Sequence, residues 1–411
     1  MNLVMIPFHD WKKCEREGFR TRDAHFMQEF IKHPDIDTLL IINRPISFSE
    51  IVLFRRRVYA QHSKLIARCG SAYLCQIEDR VYTLDVVIPE IIRPLMMRRR
   101  WTSYIFGQPR VLEAVRFALR YLKIETSYHL FMSAPLFVPL AQQLKPRALI
   151  LDAQDNLLKH ALYRNVPHLS DYYAYCQRHA DLLFTNSSQN AAWLGQQRPD
   201  VTYIPNGVDG EMFRPGLSHS MPADLQAIPR PIVGYAGKMQ EMLDIELIEQ
   251  MARRFPHVTF VFIGQQLNTR WVKHLWSLPN VCYLGDKQYS TLPSYLNAFD
   301  ICMIPYHPER QHGGDPIKFY EYLAMGKPIV TTNIGGVSAF SDYPQVHVAR
   351  DHQDFLAGLA TFVEHVQERR PVAIQPLPQE CLWSSKAARI LQAIKSVQEE
   401  TGSHAPGPVY A

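Results

Sequence analysis

Between residues 232 and 332 the chain repeats one pattern five times: a short apolar run, then a turn or a segment of helical period. The runs are 232–237, 258–263, 281–284, 301–305 and 328–332. A strand that is apolar at nearly every position has no solvent face, so both of its faces must be covered. Helices between the strands do the covering: residues 243–254 place Ile245, Ile248, Met251 and Ala252 on one side, and a second helix is predicted over 292–297. This predicts an α/β domain built on a parallel sheet, whose ligands bind beyond the carboxyl ends of the strands.

The first half alternates less regularly. Strands are predicted at 3–6, 38–42, 81–87, 128–132, 148–151, 182–185 and 202–204, and helices at 22–32, 111–122, 169–179 and 189–196. This is a second doubly wound domain. A chain of 411 residues is also too long for one ordinary core. The turn-rich stretch from Pro205 through Asn206, Gly207, Val208, Asp209 and Gly210 marks the boundary. The predicted domains are 1–210 and 211–384, with a proline-rich linker over about 216–230, a terminal helix over 385–400 and a tail over 401–411.

Composition narrows the function classes. The chain is 47% hydrophobic and 20% charged, as globular proteins are. No apolar run reaches the roughly 18 residues that span a bilayer. The first residues, Met1-Asn2-Leu3-Val4-Met5-Ile6, read as a strand and not as a signal peptide. Seven scattered cysteines, without a Cys-x-x-Cys pair, argue against a disulfide framework or a zinc site and for a reducing, cytoplasmic setting. The net charge of +5 is concentrated in two triplets, Arg55-Arg56-Arg57 and Arg98-Arg99-Arg100. The second lies beside Ile91, Ile92, Met96, Met97 and Trp101, a mixture suited either to peripheral contact with the inner face of a membrane or to a solvated loop bordering a core helix. Nucleic acid is not an expected partner, because no reading motif accompanies the charge.

Residues 316–328, Pro-Ile-Lys-Phe-Tyr-Glu-Tyr-Leu-Ala-Met-Gly-Lys-Pro, read as a short helix with marked ends. Pro316 suits the first turn, Gly326 a left-handed end, and Pro328 blocks continuation. Lys318 and Glu321, three apart, share one face; Phe319, Tyr320, Leu323 and Ala324 form the opposite, buried stripe. One cation and one carboxylate from the first turns fit a ligand with both phosphate and vicinal hydroxyls, such as a nucleotide sugar. The glycine-rich Gly313-Gly314-Asp315 just before the helix, and the N–H of Ile317, suit phosphate oxygens. The structural alternative for Lys318 and Glu321 is a surface pair.

With 203–209, Gly234-Tyr235-Ala236-Gly237-Lys238 and 280–285, this stretch resembles the GT-B glycosyltransferases, more narrowly those around glycosyltransferase family 4. Leu151-Asp152-Ala153-Gln154-Asp155 is similar to a stretch seen in some bacterial exopolysaccharide and teichuronic-acid transferases. The resemblance implies two Rossmann-like domains facing an interdomain cleft, with the terminal helix crossing back to the first. It implies a nucleotide-sugar donor, a UDP-sugar ahead of a GDP-sugar, bound to the second domain. Glu321 would then meet the ribose hydroxyls, Lys318 and Lys238 the diphosphate, and Gly237 would allow close approach of the backbone. No metal or other cofactor is implied. The acceptor would be a glycan, a lipid-linked sugar or a small molecule.

The chain departs from the family pattern at one place. The family signature has two acids eight positions apart; Glu321 is the second, and the first falls on Gly313. Asp315 is the nearest substitute. Retention and inversion of configuration therefore both stay open. An inverting enzyme needs a base for the acceptor proton. Candidates in the first domain are Asp152, at the end of a predicted strand, Asp155 just after it, and Asp23 and His25 near the start of the first predicted helix. The loop over 14–20 is a further candidate contact. Asp35-Ile36-Asp37 lies at the amino end of a strand and reads as a surface turn. Rival functions on the same fold are a sugar-nucleotide epimerase, a phosphorylase or a silent sugar-binding scaffold.

Overall fold

A computed structural model describes residues 1–402 apart from 161, 217–219, 268–271 and 312. Residues 403–411 of the expected tail therefore lie outside the described residues, as does His312 beside the glycine-rich turn. The chain divides into two units, Met1–Ile204 with Lys386–Ala411, and Pro205–Ser385.

The first unit holds strands β1 (Asn2–Ile6), β2 (Thr38–Ile42), β3 (Ile46–Ser47), β4 (Lys64–Cys69), β5 (Ala72–Glu78), β6 (Val81–Ile88), β7 (Tyr128–Met132), β8 (Leu149–Ala153), β9 (Leu182–Thr185) and β10 (Thr202–Tyr203). Their order is β10-β9-β8-β7-β1-β2-β6-β5-β4, with β3 paired to the end of β6. From β10 to β6 the pairing is parallel, and β4, β5 and β6 are antiparallel. The order reverses around β1, which lies between β2 and β7. Helices Arg22–Lys32, Pro109–Tyr121, Leu169–His179 and Ser188–Gly195 stand where the periodicity predicts them. The expected loop over 14–20 is instead mostly helix, Trp11–Glu17. Asp10 caps its start, and Gly18 closes it in the left-handed conformation.

The second unit holds β11 (Ile232–Ala236), β12 (Thr259–Ile263), β13 (Val281–Tyr283), β14 (Ile301–Ile304), β15 (Ile329–Thr332) and β16 (Val346–Ala349). All are parallel, in the order β13-β12-β11-β14-β15-β16. The order is that of a doubly wound nucleotide-binding domain, with its switch point between β11 and β14. The core joins both sheet faces to helices Ile245–Arg254, Leu292–Ala298, Ile317–Ala324 and His352–Gln367.

The stretch 216–230, expected as a linker, contributes to this unit. Leu225 is fully buried in the core, and Asp224 binds Lys287 at 2.6 Å. The chain instead passes between the units at Ile204/Pro205 and again at Ser385/Lys386. Beside these crossings Val208 exchanges backbone hydrogen bonds with Cys381 and Trp383. The last helix, Trp383–Gly402, belongs to the first unit from Lys386 onward. Lys395 reaches Asp35 there at 2.5 Å, and Arg389 reaches the Tyr203 carbonyl. No disulfide joins any of the seven cysteines; Cys302, within β14, is fully buried, and burial pushes its thiol up to about 12.

Candidate functional site

At the switch point of the second unit, β11 and β12 leave the sheet together. Ala236 pairs with Ile263, and the Gly237 N–H then bonds the Ile263 carbonyl at 2.9 Å. A Cβ on Gly264 would stand 2.1 Å from the Gly237 carbonyl oxygen, so the two turns touch backbone to backbone. A Cβ on Gly237 would stand 2.5 Å from Cε of Lys318. The glycine thus makes the seat in which the Lys318 side chain lies.

Two tyrosines fix that ammonium. Lys318 donates to the Tyr306 hydroxyl at 2.7 Å, and its Nζ stands 5.3 and 5.1 Å from the ring centres of Tyr235 and Tyr306. The two hydroxyls meet at 3.0 Å, and Tyr235 also bonds the Lys238 carbonyl at 2.9 Å. Tyr235 ends on the β11 side of the switch point and Tyr306 on the β14 side. The cation is therefore held between the two strands where the order reverses. Burial raises the Tyr235 hydroxyl well above its ordinary value, so the group facing Lys318 stays a neutral phenol.

The helix that carries Lys318 spans Ile317–Ala324 and begins after Pro316, with no side chain capping it. The Phe319 N–H bonds the Pro316 carbonyl at 3.0 Å, and the N–H groups of Ile317 and Lys318 before it have no carbonyl one turn back. Gly326, at φ 64°, and the bond from Lys327 N–H to the Tyr322 carbonyl close the other end. The expected face division is wrong for Glu321. It is only 3% exposed and accepts from the Tyr289 hydroxyl at 2.7 Å, because the turn Tyr289–Thr291 covers that side of the helix. Asp315 also differs from expectation. It is 1% exposed, its carboxylate takes the Tyr320 hydroxyl, and its carbonyl accepts from Asn206 at 2.6 Å. It positions the turn before the helix. Gly313 is half-buried and Gly314 buried.

In the first unit the candidates separate into two groups. Asp152 is fully buried and holds the Arg22 guanidinium through both oxygens, with contacts of 2.9, 2.9 and 3.2 Å. This corrects its assignment as base: the carboxylate is committed to a buried cation. His25, 5% exposed, lies among the buried residues of its helix. Asp23 is fully buried as well, but its partner is informative. It accepts from His9 N–H at 2.6 Å, faces His9 Nδ1 at 3.1 Å and accepts from Thr21 at 2.6 Å. Burial pushes the Asp23 carboxyl up, yet the charge and hydrogen bonds of His9 and the Thr21 hydroxyl together bring it down to about 2. An ionised Asp23 fixes the proton on Nδ1 and leaves Nε2 as the acceptor. His9 is partly exposed, and Nε2 has no partner among the described residues.

His9 follows β1, at the point where the first sheet reverses order. A small pocket beside it is lined by Phe8, Ser133, Ala134, Pro135, Gln154, Asp155 and Leu157. Ser133 Oγ and Gln154 Nε2 have no hydrogen-bond partner there. Asp155 thus lies on the pocket wall while Asp152 does not. Sequence reasoning missed His9. The available signal was its position, immediately past the first strand on the ligand edge, with Asp23 at the start of the first predicted helix.

The family model for glycosyl transferases group 1 matches residues 230–365. The matched residues take in β11 through β16 and with them Gly237, Lys238, Lys318 and Glu321 of the candidate site. The chain is also 31% identical over 165 residues to TuaH of Bacillus subtilis (strain 168), a protein named for a glycosyltransferase role in teichuronic acid biosynthesis; the match covers 39% of this chain and 42% of that one. The chain thus spans less than half the length of that relative. Among solved structures it is similar to a sucrose-phosphate synthase from Thermosynechococcus elongatus, at TM-score 0.63 and 12% identity, covering 97% of this chain and 100% of the other. It is also similar to Anabaena Alr3699/HepE in complex with UDP-glucose, at TM-score 0.56 and 13% identity, covering 98% and 99%. At such identities the likeness is one of fold, and the fold is GT-B. Among the described residues no helix is long and apolar enough to cross a membrane, and no group of three or more His, Cys, Asp or Glu is placed to hold a metal ion.

Proposed function

We propose that this protein transfers a sugar from a nucleoside-diphosphate sugar to the hydroxyl of a glycan or lipid-linked acceptor. The observation that carries the reading is the Lys318 ammonium, clamped between Tyr235 and Tyr306 at the switch point of a parallel sheet. A fixed cation there stabilises the charge that develops on a departing diphosphate. Lys238 and the first N–H groups of the helix, Ile317 among them, add to it, and Gly237, Gly313 and Gly314 admit the phosphates. These groups supply the positive charge without a metal ion. Glu321, held by Tyr289, is assigned to the ribose diol, since an ionised carboxylate only accepts hydrogen bonds. UDP is the favoured nucleotide, as HepE is solved with UDP-glucose.

On the acceptor side His9 Nε2 takes the proton of the attacking hydroxyl while Asp23 stabilises the imidazolium that forms. Ser133, Gln154 and Asp155 offer hydrogen-bonding groups beside it. A protein base acting on the acceptor fits inversion at the anomeric carbon, and NMR of the product's anomeric proton tests this directly. The likeness to transferases supports transfer over the epimerase, phosphorylase and scaffold alternatives.

A thermal-shift series with UDP, GDP, ADP and TDP tests the donor reading, because a ligand of the folded state raises its stability. UDP is expected to raise Tm, and Lys318→Ala to remove the effect. No shift with any of the four would sink the donor site. An unchanged shift in Glu321→Ala would reduce Glu321 to a structural partner of Tyr289.

A further inference from the structure

The two arginine triplets of the first unit take no part in the proposed chemistry, yet the helices that lead into them start side by side. β3 pairs in parallel with the end of β6, Ile46 opposite Val87 and Ser47 opposite Ile88. The chain therefore leaves both strands side by side, and Ser49 N–H reaches the Glu90 carbonyl. Each exit is a short helix, Phe48–Phe54 and Ile92–Met97. Both helices turn large apolar side chains to solvent. Val52, Leu53 and Phe54 are 58–61% exposed on the first, and Ile92, Leu95 and Met96 are 68, 45 and 78% exposed on the second. The first helix runs directly into Arg55, Arg56 and Arg57, and the second into Arg98, Arg99 and Arg100, all exposed. None of these six arginines pairs with a carboxylate among the described residues. The local acids are already engaged, Glu50 with Arg44 and Glu90 with Arg93.

We propose that this edge of the first unit docks onto an anionic lipid bilayer. Bare apolar side chains rimmed by cations that no carboxylate neutralises match the boundary between headgroups and acyl chains. Helices of seven and six residues are about 10 Å long, enough to lie in that boundary and far too short to cross it. Charge argues against a second copy of the chain as occupant. A twofold contact sets a patch against itself, and here that would oppose six arginines to six. β6 runs parallel to β2 and β2 to β1, so the patch lies on the same sheet edge as His9. Resting on the function proposed above, a bilayer at that edge would present a lipid-linked acceptor hydroxyl to the base.

Co-sedimentation of the full chain with phosphatidylcholine vesicles, with and without phosphatidylglycerol, tests the proposal. Binding is expected only with the anionic lipid, and is expected to weaken with added salt. Replacing Arg98, Arg99 and Arg100 together by Ala should weaken it on the order of a hundredfold. Ile92→Asp with Met96→Asp should abolish it; both side chains are exposed, so circular dichroism and Tm should stay unchanged. The UDP-induced thermal shift should also survive in these variants, so a failed donor site and a failed membrane site give different results. Absence of binding at low salt, equal binding to neutral vesicles, or full binding by the double Asp variant would each overturn the proposal. So would a dimer in gel filtration that the same variant dissociates, because the patch would then be an interface between copies.

Discussion

A carboxylate serves as a base only where a substrate proton can reach it, and the acids of the first unit divide on that criterion. Asp152 was legible from sequence as a strand-end acid, but sequence does not show that Arg22, 130 positions away, takes both of its oxygens. Removing one partner of such a pair leaves a buried charge alone. Asp152→Ala is therefore expected to lower unfolding free energy by about 3–5 kcal/mol in urea titration. His9→Ala should instead show its effect in catalysis, reducing kcat about 10²–10⁴-fold with UDP binding intact, beside the stability lost when the buried Asp23 carboxylate loses its imidazole partner. Asp23 carries a pH signature of the dyad. Its folded value of about 2 lies below the ordinary 3.8, so its contribution is present above pH 3.8 and is lost as pH falls through 2. Between pH 4 and pH 2 the wild type should lose about 2 kcal/mol more than Asp23→Asn, read from unfolding curves at each pH.

Elements were legible where burial is symmetrical. β11, β12 and β14 are apolar at almost every position, and the sequence pattern finds them without help from context. β4 and β5 were missed for a physical reason. Residues such as Lys64, Arg68 and Glu78 give them one wet face, and an antiparallel edge hairpin needs no continuous apolar run. The short helices at Trp11–Glu17 and Phe48–Phe54 were missed because each is about two turns long and is set by its caps more than by period. The donor helix was found, but the burial of Glu321 was not, since it depends on Tyr289 arriving from another element. The paired turns after β11 and β12 give a direct test of the site's construction. Gly264→Ala meets a backbone oxygen that cannot yield, and should destabilise by about 2–4 kcal/mol. Gly237→Ala meets the far end of a flexible lysine. It should cost less stability but push Lys318 off its two tyrosines, abolishing the UDP-induced rise in Tm.

At the scale of the whole molecule, the chain builds one unit out of its two ends and the other out of its middle. Lys386 onward completes the first unit, where Ile390, Leu391 and Ile394 are at most 1% exposed and Lys395 holds Asp35. Burying three such side chains contributes on the order of 5 kcal/mol. The second unit, by contrast, ends its core before the crossing at Ser385. A chain ending at residue 385 should therefore lose stability selectively. In scanning calorimetry the transition of the first unit is expected at lower temperature, whereas the transition that UDP raises should keep both its position and its response. UDP at about a hundred times its Kd should still stabilise that transition by about 2.7 kcal/mol. If truncation instead abolished the UDP response, nucleotide binding would depend on the first unit, and the donor site could not be built from the residues of β11 to β16 alone.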